Sequence, residues 1–416
     1  MIFLKGTDKM ISIAVLGYGT VGSGVVKVIE TNQEKIDKKA GLPVRVKYVL
    51  DLRDFPGDPI QDKIVHDYNV ILNDPEVKIV VEVMGGLKPA YEFTKAALEA
   101  GKSVCTSNKE LVAEHGSELL TLAREKNVNY LFEASCGGGI PVIRPINSSL
   151  TAEDIDEVSG ILNGTTNFIL TEMTEKGAAF EDVLKEAQDL GYAERNPEAD
   201  VEGYDACRKI AILSSLAFGK TVRYEDVYTE GITKITPSDI SFAKKFDMSI
   251  KLMASGHKVT EEGSEDKYYA MVAPFMIRRG HPLFNVNGVF NAVFIHGNML
   301  GDSMFYGSGA GSLPTASAVV GDVIDAVRHI NRTLFVFWDP EKLELSDHKT
   351  ATRPFFIRVP IDKKDEAMKL FNASDAVTCE EVPGEAGMLT SIMSEEEFEN
   401  KYNEAGYVLS RIRINQ

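Results

Sequence analysis

Between Gly191 and Leu213 the chain reads GYAERNPEADVEGYDACRKIAIL, and four of its side chains are of types that do chemistry: Glu194, Asp200, Asp205 and Lys209. Asp205 and Lys209 stand one helical turn apart. A helix over the apolar run that follows, with Ile210, Leu213 and Leu216, puts them on one face. Three carboxylates approaching a lysine at the start of a packed helix suit a ligand with an ammonium group and an oxygen that gains or loses a proton. On spacing alone the Asp205–Lys209 pair also fits an ordinary surface ion pair worth about 0.3 to 0.5 kcal/mol. The polar, proline-containing approach through Glu194 and Asp200 tips the reading toward a site. A lysine taken out of water gives up its proton more readily, which fits it for proton transfer.

Proton transfer of that kind needs a framework to position it. Ile11 to Leu16 (ISIAVL) is a β-branched, apolar run that reads as a buried parallel strand. It leads into GYGTVGSGVVKVIE, where Gly17, Gly19 and Gly22 form G-x-G-x-x-G and Val21, Val25, Val26 and Ile29 recur at helical spacing. Gly17 suits the tight turn, Gly19 the close approach of a pyrophosphate, and Gly22 the packing of helix on strand. From Thr20 and Val21 onward the helix start offers free N–H groups to phosphates. The motif alone is only a glycine-rich turn; following a strand and opening a helix, it is a dinucleotide-binding signature. Joined to the lysine–carboxylate cluster, it points to a dehydrogenase acting on an amino acid.

The second strand is Val44 to Leu52, ending near Asp51 and Arg53. An acidic residue there accepts from ribose hydroxyls and favours NAD, whereas an arginine accommodates the 2′-phosphate of NADP. Both are present, so NAD against NADP stays open. A third strand (Lys78 to Gly86), a helix (Ala90 to Ala100), the strand KSVCTSNKE, another helix and the strand NYLFEAS follow. This alternation predicts an α/β, Rossmann-type doubly wound sheet over residues 10–140. Gly85, Gly86, Ser107 and Lys109 fall at carboxyl ends of strands, where such sheets bind ligands.

The segment EASCGGGIPVIRPINSS leaves this domain. Its three consecutive glycines permit backbone angles that turn several carbonyls toward one cation; a hinge is the other reading. Cys136 beside them is a candidate thiol nucleophile, with no histidine near it in sequence. Glu157 to Leu162 reads as a strand, and NGTTNFILTEM opens a helix capped by Asn163 or Thr165. FEDVLKEAQDL is an amphipathic helix stopped by Gly191. Later strands lead to a loop with Gly307, Gly309 and Gly311, then a helix. Residues 141–330 are expected to form an α+β substrate and dimerisation domain, with 305–330 returning to pack on the nucleotide domain.

With 416 residues the chain has room for two or three domains. The net charge of -17 argues against nucleic acid, which rewards basic faces. The cysteines Cys105, Cys136, Cys207 and Cys379 are scattered, as in reduced cytoplasmic proteins without a zinc site. No apolar run is long enough to span a bilayer. The start MIFLKGTDKM is too short for a signal peptide, and the first nine residues read as an extension ahead of an alternative start at Met10.

The stretches GYGTVGSGVV, EVMGG, TSNKE, EASCGGGIP, GILNGTTNFIL, GYAERNPEADVEGYDACRKIAIL and YGSGAGSLPTASAV, in that order over roughly residues 10 to 330, resemble the homoserine dehydrogenase family. The resemblance implies interconversion of L-homoserine and L-aspartate 4-semialdehyde with NAD or NADP, in threonine, methionine and isoleucine biosynthesis. It implies catalytic roles for Lys209 and Lys109, with Asp205 paired to Lys209. It implies substrate contacts from Glu194, Asp200 and Thr165. Cofactor contacts are implied around Gly17, Gly19, Thr20, Val21, Gly22, Gly85, Gly86, Ser107 and Gly311. A monovalent cation, sodium or potassium, is implied on backbone oxygens near Glu133, Cys136, Gly138 and Ile140. A homodimer or homotetramer is implied as well. Many members end the second strand with a basic residue ahead of an aspartate; here LDLRD places Asp51 first, which departs from strict NADP preference. A semialdehyde dehydrogenase using Cys136, and a nucleotide-dependent amino-acid sensor without chemistry, are the competing readings.

Residues 331–350 read as a polar connector. Residues 351–416 then follow a βαββαβ order that resembles an ACT domain, the family's amino-acid-binding regulatory module. That resemblance implies an L-threonine effector. The Asp-x-Pro-Gly turn is missing, since DKKDEAM follows the first strand, so a structural or dimerising role is the other reading.

Overall fold

β1 (Ile11–Leu16) is buried along its whole length, as a β-branched strand at the centre of a parallel sheet must be. The computed structural model describes residues 10–261, 263–374 and 376–415, so the expected extension before Met10 lies outside the described residues. β2 (Val44–Leu50), β3 (Ile64–Val65), β4 (Val77–Glu82), β5 (Ser103–Thr106) and β6 (Tyr130–Leu131) complete a six-stranded sheet in the order β3-β2-β1-β4-β5-β6. All of its pairings are parallel. The strand order reverses between β1 and β4, and ligands bind outside the carboxyl ends at such a point. α1 (Thr20–Thr31) follows β1. Its Val25, Val26 and Ile29 share one core with Ile13 and Val15 and with Ala316, Val319 and Val323 of the helix Ser312–Arg328. These elements belong to one compact unit, residues 1–152, 219–221 and 308–341.

Three expectations for this unit change. β2 stops at Leu50, so Asp51 and Arg53 stand in the turn beyond the strand. β6 has only two residues, and FEAS leaves the sheet through a tight turn at Glu133–Ser135. There the Glu133 carboxylate bends to receive the N–H groups of Val142, Ile143 and Arg144 at 2.6, 3.0 and 2.8 Å. The connector is not merely polar. Trp338 is buried edge-on to Phe132, and a Cβ at Gly116 would lie 2.6 Å from its ring.

The second unit comprises residues 153–218, 222–307 and 342–416. It is built on a ten-stranded mixed sheet. The strands Met248–Val259 and Lys267–Arg278 form an antiparallel hairpin paired along their full lengths. Ile155–Ile161 lies between Met248–Val259 and Phe290–Gly297. The helix Tyr204–Phe218 packs on Ile155–Ile161 and on that hairpin.

At the C-terminal end, the strands Phe355–Pro360, Ala376–Cys379, Val382–Leu389 and Ser410–Ile414 alternate with the helices Lys364–Leu370 and Glu395–Ala405. The four strands pair antiparallel around a core in which Phe355 and Phe398 stack at 3.9 Å. This segment is not set apart as an appended module. Ser410–Ile414 pairs in parallel with Lys267–Arg278, through Phe275 with Arg413 and Met276 with Ile414, and so extends the unit's sheet. Pairing in this way satisfies backbone groups that an open edge would leave exposed. Arg413 reinforces the joint. Its guanidinium forks onto Glu395 at 2.7 and 2.8 Å and reaches Glu230 at 2.7 Å.

Candidate active site

The glycine turn is shaped by what a side chain would hit. Gly17 has φ +95, a conformation other residues rarely adopt, and a Cβ at Gly22 would lie 1.9 Å from the Gly17 carbonyl oxygen. A Cβ at Gly19 would meet nothing within 4 Å, so the space above it is open. Gly19 caps α1 without a side-chain hydrogen bond, which leaves the N–H groups at Thr20 and Val21 to a ligand. Gly311, with φ +111, opens the helix Ser312–Arg328, and Ser312 Oγ donates to Thr20 O at 2.5 Å. These residues fit the pyrophosphate of a dinucleotide: open space, unclaimed N–H donors, and no side chain in the way.

Beyond β2, Asp51 and Arg53 occupy each other. Arg53 Nε donates to Asp51 Oδ1 at 2.9 Å and Nη2 to Oδ2 at 3.0 Å, while the Tyr18 N–H reaches Oδ2 at 2.8 Å. The Arg53 guanidinium beside it holds the Asp51 carboxyl well below the usual carboxylate range. Arg53 lies over the Phe55 ring with its side chain 62% exposed. His66 Nδ1 stands 2.7 Å from Asp51 O, a neighbour that the sequence reading missed.

At the ends of β4 and β5 a second missed group, Glu82, is fully buried and organises the turn. It accepts from the Met84 N–H at 2.8 Å and from Thr106 Oγ1 at 2.7 Å, and Thr106 Oγ1 in turn accepts the Asn108 N–H at 2.9 Å. Burial pushes its carboxyl up. Asn108 donates to Gly86 O at 2.6 Å and caps the helix Lys109–Glu125 through Leu111 N. Gly85 and Gly86 turn with φ +80 and +69. Ser107 lies in this turn, and Lys109 is the first residue of the capped helix.

The glycine run after Glu133 is equally constrained. Gly137 and Gly138 have φ +69 and +55, and a Cβ at Gly138 would lie 2.4 Å from Gly309 O. Glu133 commits its carboxylate to the N–H groups of Val142, Ile143 and Arg144. Among the described residues no group of three or more His, Cys, Asp and Glu is placed to hold a metal ion. Cys136 is fully buried.

In the second unit, the cluster that opens the sequence argument is partly assembled. Asp205 and Lys209 are buried near the start of the helix Tyr204–Phe218. Lys209 Nζ donates to Asp205 Oδ2 at 2.6 Å and to Leu162 O at 2.7 Å. Asp200 joins them through a residue expected only as a cap. Asn163 Nδ2 donates to Asp200 Oδ1 at 2.7 Å and to Asp205 Oδ2 at 2.9 Å. Asn163, not Thr165, caps the helix Gly164–Lys176. Thr165 Oγ1 instead ties that helix to the next loop by donating to Tyr192 O at 2.8 Å. Within the polar, proline-containing approach, Asp200 sits in a short helix, Glu198–Val201. Glu194 is exposed in the loop ahead of that short helix.

A doubly wound parallel sheet with its glycine turn in one unit, and a buried lysine–carboxylate cluster in the other, define a dinucleotide-dependent oxidoreductase. Comparisons with known proteins narrow the class. The family model "Homoserine dehydrogenase, NAD binding domain" matches residues 17–133, and "Homoserine dehydrogenase" matches residues 141–324. The homoserine dehydrogenase of Bacillus subtilis is 44% identical over 329 residues, 77% of this chain and 74% of that protein. That of Pseudomonas aeruginosa is 40% identical over 393 residues, 93% of this chain and 86% of its own. A homoserine dehydrogenase crystal structure from Thiobacillus denitrificans matches with TM-score 0.88 at 34% identity, over 98% of each chain. A hyperthermophilic archaeal homoserine dehydrogenase mutant in complex with NADPH matches with TM-score 0.64 at 30% identity, over 76% of this chain and 97% of that one.

The chain belongs to the homoserine dehydrogenase family. It is an NAD(P)-dependent oxidoreductase acting on the CH–OH group of homoserine. The cysteine-dependent and non-catalytic readings fall away.

Proposed function

We propose that Lys209 is the acid–base group of this oxidoreductase. The observation that carries the reading is its pair of fixed acceptors, Asp205 Oδ2 and Leu162 O. A neutral amine has two hydrogens, and these two oxygens can hold both. The proton gained or lost is then the third, which Lys209 Nζ takes from the homoserine hydroxyl and returns to the nascent alkoxide in reverse. Asp205 orients the amine. Lys109 polarises the same oxygen or relays the proton. Asp200 and Glu194 hold the substrate ammonium, and Thr165 lines the substrate side. The nicotinamide, when bound, supplies the hydride acceptor or donor for the carbinol carbon.

Gly17, Gly19, Thr20, Val21, Gly22, Gly85, Gly86, Ser107 and Gly311 hold the dinucleotide, with Asp51 and Arg53 at its adenosine ribose. Backbone oxygens of Glu133, Cys136, Gly138 and Ile140 hold a monovalent cation, sodium or potassium. Residues 10–140 with 305–330 make the nucleotide domain, 141–330 the substrate and dimerisation domain, 331–350 a connector and 351–416 an ACT-like segment. The enzyme works in the cytoplasm as a homodimer or homotetramer, with L-threonine as candidate effector. No helix among the described residues is long and apolar enough to cross a membrane.

The test is L-homoserine-dependent reduction of NAD and NADP by wild type and Lys209→Ala, with nucleotide titration alongside. The variant is expected to bind nucleotide normally and lose about 10²- to 10⁴-fold in kcat. Full turnover in Lys209→Ala would end the assignment.

A further inference from the structure

We propose that Asn163 is a positioning residue for the reaction: it clamps Asp200 and Asp205 side by side and sets the charge that Lys209 faces. This rests on the reading of Lys209 as the acid–base group. The carboxamide is 5% exposed, and both of its ends are committed. Its oxygen accepts the Thr166 N–H at 2.8 Å and Thr166 Oγ1 at 3.0 Å. Its NH₂ gives one hydrogen to Asp200 and the other to Asp205, at 2.7 and 2.9 Å. The ends cannot be exchanged. A flipped amide would set its oxygen against two carboxylates and its NH₂ against a backbone N–H.

Two carboxylates that accept from one nitrogen repel each other, and the neutral NH₂ between them offsets the repulsion by giving each a hydrogen. It also acts on the lysine. Asp205 Oδ2 is the atom to which Lys209 Nζ donates at 2.6 Å, so one oxygen takes a hydrogen from the amide and another from the lysine. The amide hydrogen fixes the place of that oxygen, and with it the point from which Lys209 Nζ reaches toward the substrate. The neighbouring residue completes the device, because Leu162 O is the lysine's second acceptor. One dipeptide at the end of the strand Ile155–Ile161 thus grips both members of the pair.

The clamp is separable from the cap. Serine and aspartate cap helices about as well as asparagine, but neither has an NH₂ to give. The experiment is steady-state homoserine oxidation by full-length wild type, Asn163→Ser and Asn163→Asp, with melting curves and nucleotide titration. Both variants are expected to keep their fold and nucleotide affinity. KM for homoserine should rise several-fold as Asp200 is released. kcat should fall as well, because Asp205 no longer holds Lys209 in one place, and by more in Asn163→Asp, which sets a third carboxylate against the pair. An Asn163→Ser enzyme with wild-type KM and wild-type kcat would overturn the proposal and leave a helix cap. If Asn163→Ser does not fold, Asn163→Asp decides by the same two readouts. Lys209→Ala run in parallel keeps the two readings apart, since its retained turnover would remove the acid–base role and not the clamp.

Discussion

The glycine turn and the lysine helix solve the same problem, placing polar groups beside a ligand, by opposite means. The turn uses backbone. Gly17 is needed for its φ of +95 and Gly22 because a Cβ there would collide with Gly17 O, and the donors left open are the uncapped N–H groups of α1. The lysine cluster uses side chains from separate segments, Asn163 at one strand end, Asp200 in a short helix, Asp205 and Lys209 in a long one, joined by the single backbone carbonyl of Leu162. A backbone site is robust to surface change and fragile to one added methyl. A side-chain site tolerates a methyl nearby and fails when one partner loses its hydrogen bond.

Two alanine substitutions break that comparison most sharply. In Gly22→Ala the new Cβ would sit 1.9 Å from Gly17 O, so α1 must move off the turn. Overpacking of this kind costs about 1 to 3 kcal/mol, and the displaced N–H groups should weaken NADPH and NADH binding together. In Gly19→Ala the methyl meets no protein atom, so the melting temperature should hardly change. Nucleotide affinity should still fall, because the methyl occupies the approach of the pyrophosphate. Fluorescence titration and thermal melts on both variants check this. Equal affinities in Gly19→Ala and wild type would show that the phosphates do not pass over that residue.

A smaller, selective effect is expected at the end of β2. Arg53 and Asp51 are tied in a bidentate pair, so an arriving ribose must part them or use the exposed guanidinium as it stands. In Arg53→Ala the NADPH-to-NADH ratio of kcat/KM should fall by about tenfold, since a charged donor to the 2′-phosphate is lost and Asp51 is released to the hydroxyls. Stability should not move, because the pair is exposed on the arginine side. An unchanged ratio would place the ribose away from these two residues.

How much was legible in the sequence follows from the same contrast. The strand, glycines and helix of the turn are contiguous, so that one stretch of sequence carries fold and ligand class together. Asp205 and Lys209 were legible because a helix puts them on one face. Asn163 was read only as a cap, since its partners Asp200 and Asp205 lie 37 and 42 residues downstream. Glu82 ends an otherwise apolar strand, and only burial reveals that it anchors Met84 and Thr106. Glu194 was read from its type and neighbourhood alone, since its loop leaves it exposed with nothing in the fold to mark it. The long hairpin Met248–Arg278 carried no motif, although it is the spine of the second sheet. The C-terminal order of strands and helices was readable locally. Its junction was not, because pairing of Ser410–Ile414 with Lys267–Arg278 is a contact between distant segments.

That hairpin also supplies a second buried lysine, and the two lysines sharpen the comparison within the substrate unit. Lys209 has a carboxylate partner. Lys251, 1% exposed, donates instead to three neutral oxygens, Val286 O at 2.6 Å, Asn287 Oδ1 at 2.7 Å and Asn167 Oδ1 at 3.3 Å. Burial pulls its amine down from 10.5 to about 8. The folded value lies below the unfolded one, so between these pH values the unfolded chain holds a proton that the folded chain has released. Stability therefore rises with pH through the window from about 8 to 10.5, by up to roughly 3 kcal/mol for this group. Lys251→Met removes the titration and should abolish that slope. Melting temperatures of wild type relative to the variant should climb by a few degrees across the window. A flat difference would mean that Lys251 keeps its proton throughout, and that three neutral oxygens hold an ammonium as firmly as a carboxylate holds Lys209.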